Sequence, residues 1–184
     1  MKMEQPVIPQ LPNPIVILDT NIIGSLLDRN RVGGILNALQ ALSENHDFLV
    51  SQYTHYELLK KGSSDVKALM RFVNNFRYFI IDSSVLFFGA MLSCLGIKDD
   101  GDNIIAATAL LNNATILTAN QRHFPVKYFD EELSWSITFK DQMRTHTEHI
   151  YLLKPVVEKI LADVNTISYI VAVSNSPAPQ QISP

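Results

Sequence analysis

Apolar residues along this chain recur in two rhythms, short unbroken runs and longer stretches with a hydrophobic position every third or fourth residue. Ile15, Val16, Ile17 and Leu18 form the first unbroken run. Being mostly β-branched and without polar alternation, it predicts a strand buried on both faces, as in a parallel sheet covered by helices. Further strands are predicted at residues 48–51, 78–82, 115–120 and 136–139. Between them lie helical patterns. Residues 22–27 form a short one, and Ile35, Leu36, Leu39 and Leu42 share a face over 32–42. Val66, Leu69, Met70, Val73 and Phe76 fall at helical spacing. A helix over 85–95 would take Ser83 or Ser84 as its cap and Gly96 as its stop. Residues 103–111 are apolar nearly all round, so that helix belongs in the core. Strands alternating with helices predict a three-layer α/β/α sandwich with a small central parallel sheet and right-handed crossovers.

The pattern changes at both ends. Pro6, Pro9, Pro12 and Pro14 make residues 1–14 an extended arm, because proline lacks a donor and keeps its predecessor out of helix. The domain spans 15–139. A helical extension is expected over 140–173, within which 150–172 carry an amphipathic helix started by Pro155, with Val156, Val157, Ile160, Leu161, Val164 and Ile167 on one face. Such an apolar face must pack on the domain, a second copy or a partner. Residues 174–184, rich in Ser, Pro and Gln, are expected to be disordered.

A length of 184 residues, 47% apolar and 18% charged, describes one ordinary globular domain. The net charge of −3 argues against a generally basic nucleic-acid binder, although a cluster of metal-binding carboxylates would itself produce such a deficit. Cys94, alone in an apolar run, is expected to be a buried thiol in a reducing compartment. No stretch approaches the roughly 20 apolar residues of a membrane span, and residues 1–14 lack the apolar core of a signal peptide. The expected location is the cytoplasm, with no membrane.

Three carboxylates then change the picture. Asp19, Glu57 and Asp102 stand at strand exits or helix starts in three separate connections, and ligands collect at the carboxyl ends of parallel strands. Each has a local alternative. Asp19 or Thr20 could cap the first helix, Glu57 could complete a capping box with Thr54, and Asp102 could cap the helix at Asn103. Gathered at one sheet edge, however, the acids would repel and their pKa values would rise unless a cation neutralised them. All-oxygen ligation selects Mg²⁺ or Mn²⁺. Thr20, Asn21 and Ser51 could orient the carboxylates. Lys60, Lys61, Lys67, Arg71 and Arg77 form a possible phosphate track, and Tyr53, Tyr56 and Phe124 could stack bases, with core packing or a solvated face as the alternatives.

The sequence resembles the PIN-domain ribonucleases. Asp19-Thr20-Asn21 after an apolar strand, Tyr56-Glu57-Leu58-Leu59-Lys60, Asp102-Asn103-Ile104-Ile105-Ala106-Ala107-Thr108-Ala109-Leu110, and Leu117-Thr118-Ala119-Asn120-Gln121-Arg122-His123-Phe124 carry the likeness, in order and spacing, over 15–139. The resemblance implies a divalent-metal-dependent endoribonuclease cleaving single-stranded RNA, frequently the toxin of a toxin–antitoxin pair and usually a homodimer. It implies Asp19, Glu57 and Asp102 as catalytic and metal-binding residues. Asn120 matches a fourth position that is often Asp, and His123 stands where a further acid is common. Asp99 and Asp100 could supplement the metal ligands, with a solvated acidic loop as the alternative, while Lys60, Lys61, Arg122 and His123 could contact single-stranded or structured RNA. A catalytically idle module of this kind, binding RNA or a protein, is the alternative. A haloacid-dehalogenase-like phosphatase is disfavoured because Asn21 occupies the position of its second acid.

Overall fold

The computed structural model describes residues 13–60, 66–97, 99–141 and 144–174, so residues 1–12 of the arm, Lys61 and tail residues 175–184 lie outside the described residues. β1 (Ile15–Leu18) runs through the middle of a six-stranded sheet. On one side it pairs in parallel with β2 (Asp47–Ser51), which pairs in parallel with β3 (Arg77–Phe79). On the other it pairs in parallel with β4 (Thr115–Thr118). Two antiparallel strands complete the sheet, giving the order β3-β2-β1-β4-β6-β5, with β5 at Phe129–Asp141 and β6 at Arg144–Pro155.

The side chains of β1 alternate between two cores. Ile17 faces a cluster built with α5 (Ser83–Cys94), α6 (Asp100–Leu111) and α7 (Val157–Ser174). Val16 and Leu18 face one built with α1 (Thr20–Ser25), α2 (Val32–Ser43), α4 (Val66–Val73) and Ile137 of β5. α3 (Gln52–Lys60) joins β2 to this second layer through Leu58. The three-layer α/β architecture is therefore the expected one, with a sheet that is mostly parallel. α6 is buried from Gly101 through Leu110, as its all-round apolarity requires.

The C-terminal third differs from expectation. Of the helical extension expected over 140–173, the described residues up to Pro155 are strand instead, with β5 running to Asp141 and β6 over Arg144–Pro155, and the helix starts only at Val157. Ile150, Tyr151, Leu152 and Leu153 are another unbroken apolar run, with Ile150 and Leu152 in one core and Tyr151 and Leu153 in the other. The fifth strand, expected over 136–139, extends over 13 residues because β6 gives it a partner along its length. Two local details also differ. Asp82, not a serine, caps α5 by accepting from the Ser84 and Val85 amides, and Cys94 is exposed because α5 turns Val85, Gly89 and Leu92 inward.

Candidate functional site

β1 has β2 on one side and β4 on the other, both reached by crossovers, so a crevice opens where the connections leave in opposite directions. Asp19 stands there. It occupies the N-cap position of α1 but makes no side-chain cap bond, which leaves its carboxylate to face the crevice. The side chain is only 2% exposed. Its Oδ2 accepts from Thr118 Oγ1 at 2.6 Å and from Asn21 Nδ2 at 2.5 Å. Asn21 also accepts the Ala119 amide at 3.0 Å, tying the exits of β1 and β4 together. Burial pushes the Asp19 carboxyl up to about 6, against the hydrogen bond from Thr118, and the nearby charges of Asp102 and Glu57 push the same way.

Glu57 comes from the middle of α3, where Thr20 Oγ1 donates to its Oε2 at 2.6 Å. α3 begins at Gln52, so Thr54 lies inside the helix and is not its cap, and the local capping-box alternative gives way to a contact across the crevice, where Thr54 stands 3.3 Å from the Thr20 hydroxyl. Asp102 lies in the first turn of α6 and is not its cap; Asp99 is, accepting from the Gly101 amide at 2.9 Å. Burial raises the Asp102 carboxyl above its usual range, opposed by His123, whose Nδ1 stands 2.5 Å from Oδ2. Gly101 permits this convergence. A Cβ there would lie 2.7 Å from the Tyr53 ring, 3.1 Å from Asp99 Oδ1 and 3.3 Å from Glu57 Oε1.

Asp19, Thr20, Asn21, Glu57, Asp99, Gly101, Asp102, Asn120 and His123 thus line one cavity of about 150 Å³. Of the expected site residues, Asp100 does not line it; Asp100 lines a neighbouring groove with Tyr53 and Asn103 while Asp99 takes the rim. Ser51 serves the backbone, its Oγ accepting the Tyr53 amide at 3.2 Å. Lys60 lines a side groove with Tyr53, Tyr56 and Glu57. Arg122 is exposed and donates from Nε to Asn120 Oδ1 at 3.1 Å. Phe124, 1% exposed, is core and unavailable for stacking. Of the two loop acids that the sequence offered as extra ligands it is Asp99 that lines the cavity, while Thr118 and Gly101 were not anticipated as site residues. The hydroxyl at the end of the β4 apolar run was the available signal for Thr118.

A hard divalent cation fits the donor chemistry here. Glu57 is held through Oε2 and Asp102 through Oδ2, so each keeps a second oxygen for a further ligand. The raised carboxyls of Asp19 and Asp102 are groups whose charge a cation would favour. Among the described residues no three His, Cys, Asp or Glu side chains are already drawn into a coordination sphere. Mg²⁺ commonly takes one or two carboxylates directly and keeps several waters.

No profile of a known protein family matches the chain. Ribonuclease VapC19 from two strains of Mycobacterium tuberculosis is 30% identical over 117 residues, covering 60% of this chain and 92% of the relative. Among solved structures, a toxin–antitoxin complex from Klebsiella pneumoniae matches with a TM-score of 0.52 and 23% identity over 59% of this chain and 89% of the matched one. VapBC2 from Rickettsia felis, bound to a DNA fragment from their promoter, matches with a TM-score of 0.49 and 22% identity over 60% of this chain and 90% of the matched one.

Proposed function

The chain belongs to the VapC-type PIN-domain ribonucleases, and from that premise we propose that it is a divalent-metal-dependent endoribonuclease that cleaves single-stranded RNA and acts as the toxin of a toxin–antitoxin pair. The observation that carries this reading is the convergence of Asp19, Glu57 and Asp102, from three separate connections, on one cavity at the carboxyl edge of the sheet. Asp19, Glu57 and Asp102 would hold the ion, with Asn120 as a neutral neighbour. When bound, Mg²⁺ or Mn²⁺ supplies Lewis-acid stabilisation of the negative charge that develops at a phosphodiester.

The protein's own part is positioning. Thr118 and Asn21 hold Asp19, and Thr20 holds Glu57, in a pocket where the sheet itself sets the spacing. Lys60 lines a groove with Glu57, and Arg122 one with Asp99 and His123, and both would pair with backbone phosphates flanking the scissile bond, while Tyr53 and Tyr56, ring centroids 5.9 Å apart, would offer faces to unpaired bases. On this reading the protein would act in the cytoplasm, where its RNA substrate is made and used. Among the described residues no helix is long and apolar enough to cross a membrane. Exposed Tyr56, Leu59, Ile80, Leu86 and Phe87 leave apolar surface that an antitoxin or a second copy of the chain would cover.

The test is cleavage of a fluorogenic single-stranded RNA, with a duplex as control. Cleavage should require Mg²⁺ or Mn²⁺, stop in EDTA, and fall by orders of magnitude in Asp19→Asn. Undiminished cleavage in EDTA or in that variant would overturn the mechanism. A protein that binds RNA without cutting it under any metal would instead favour the idle module, the reading that the amide at Asn120 supports.

A further inference from the structure

His123 is the only one of the five histidines that lines the acid cavity, and its surroundings present a conflict of hydrogen-bonding roles. Nδ1 lies 2.5 Å from Asp102 Oδ2 and 2.8 Å from Asn120 Nδ2. The orientation of the Asn120 amide is set by Arg122, whose Nε lies 3.1 Å from Oδ1. Guanidinium nitrogen only donates, so the amide oxygen must face Arg122 and the amide NH₂ must face His123. An NH₂ offers only protons, and asks for a lone pair on Nδ1. The Asp102 carboxylate offers only lone pairs, and asks for a proton on the same atom. One nitrogen cannot meet both demands.

A cation resolves the conflict. With the tautomer that Asn120 favours, Nδ1 directs a lone pair into the cavity beside a carboxylate oxygen, and an amide hydrogen and a metal ion are alternative occupants of that lone pair. We propose that His123 Nδ1 is a metal ligand together with Asp102, so that the site has a mixed oxygen–nitrogen donor set and selects Mn²⁺ or a later first-row transition ion over Mg²⁺. Imidazole suits such ions, whereas Mg²⁺ takes oxygen almost exclusively. Arg122 and Asn120 act as positioning residues, in the way that outer partners commonly fix the orientation of a ligating imidazole. This inference rests on reading the acid cavity as a metal centre and goes beyond it by naming the nitrogen ligand and the class of ion.

The direct test is pulsed electron paramagnetic resonance on the full-length protein loaded with Mn²⁺, alongside calorimetric titration with Mn²⁺, Ni²⁺ and Mg²⁺. A nitrogen hyperfine coupling is expected in the wild type and should vanish in His123→Asp. That substitution should weaken Mn²⁺ and Ni²⁺ about tenfold or more while leaving Mg²⁺ unchanged or tighter, and Arg122→Ala should weaken Mn²⁺ by about tenfold with the coupling retained. The wild-type spectrum decides the question even where His123→Asp fails to fold. Stoichiometric Mn²⁺ binding without nitrogen coupling, or an unchanged preference among the ions in a folded His123→Asp protein, overturns the nitrogen ligand and leaves the metal centre standing. Failure of the wild type to bind any of the three ions overturns the metal centre itself.

Discussion

Asp19 holds a carboxylate in a place where water cannot reach it, and this has a measurable cost in the metal-free protein. Its carboxyl titrates at about 6 in the folded chain against 3.8 in a model peptide. Between those values this carboxyl binds more proton in the folded state than in the unfolded state, so its contribution to stability is fully present below about pH 4 and is lost as pH rises through about 6. The shift corresponds to about 3 kcal/mol by linkage. In EDTA, Asp19→Asn should therefore be the more stable protein by a few kcal/mol near pH 7.5, and the advantage should shrink toward zero near pH 4. Urea unfolding at the two pH values measures it, and a difference that does not change with pH would remove burial of the charge as the cause. At the same scale, Lys60→Ala and Arg122→Ala should each flatten the salt dependence of RNA binding by about 0.7 in log–log slope, read by fluorescence anisotropy. A slope identical to that of the wild type would make the residue a solvated surface charge.

At the scale of elements, the seating of α2 on the hairpin depends on a side chain that is absent. A Cβ at Gly34 would meet three atoms of the Ile137 side chain at 2.4 to 2.8 Å. Ile137 is only 7% exposed and is packed among the buried residues of the second core. Gly34→Ala should thus destabilise the fold by about 1 to 3 kcal/mol through overpacking. Shortening Ile137 in the same protein should recover part of the loss, so that Gly34→Ala and Ile137→Ala couple by at least about 0.5 kcal/mol in a double-mutant cycle. Strictly additive effects would show that α2 shifts freely across β5. The same packing seats the middle of a 13-residue edge strand against the second core.

The whole molecule depends on its last third. β6 pairs with β4 through Leu152, Leu153 and Tyr151, and the buried Ile150, Leu152 and Leu153 close both cores. Ile160 and Val164 of α7 are buried in the core that α5 and α6 share with the sheet. A chain ending at residue 149 would expose the edge of β4 directly beside the Asp19 site. Unpaired apolar strand edges template aggregation. We expect that fragment to be poorly soluble, without a cooperative unfolding transition by circular dichroism. A monodisperse fragment with a sharp transition would show that β6 and α7 are dispensable to the core.

Local pattern determined much of this protein. An unbroken apolar run followed by Asp19, a helix buried all round, and acids in three separate connections are visible in sequence because burial and backbone geometry act on neighbours along the chain. These features sufficed for the α/β class and for the three carboxylates that meet in the cavity. Tertiary structure decided what depends on distant partners. Residues 150–153 have an apolar run compatible with helix or strand, and only pairing with β4 makes them strand. Asp99 and Asp100 are adjacent in sequence, yet the cap geometry of α6 turns one to the acid cavity and the other to the next groove. The bonds from Thr118 to Asp19, Thr20 to Glu57 and His123 to Asp102 span 99, 37 and 21 positions. No local rule relates residues that far apart; the sheet order brings them together, and with them the environment that sets the chemistry of each acid.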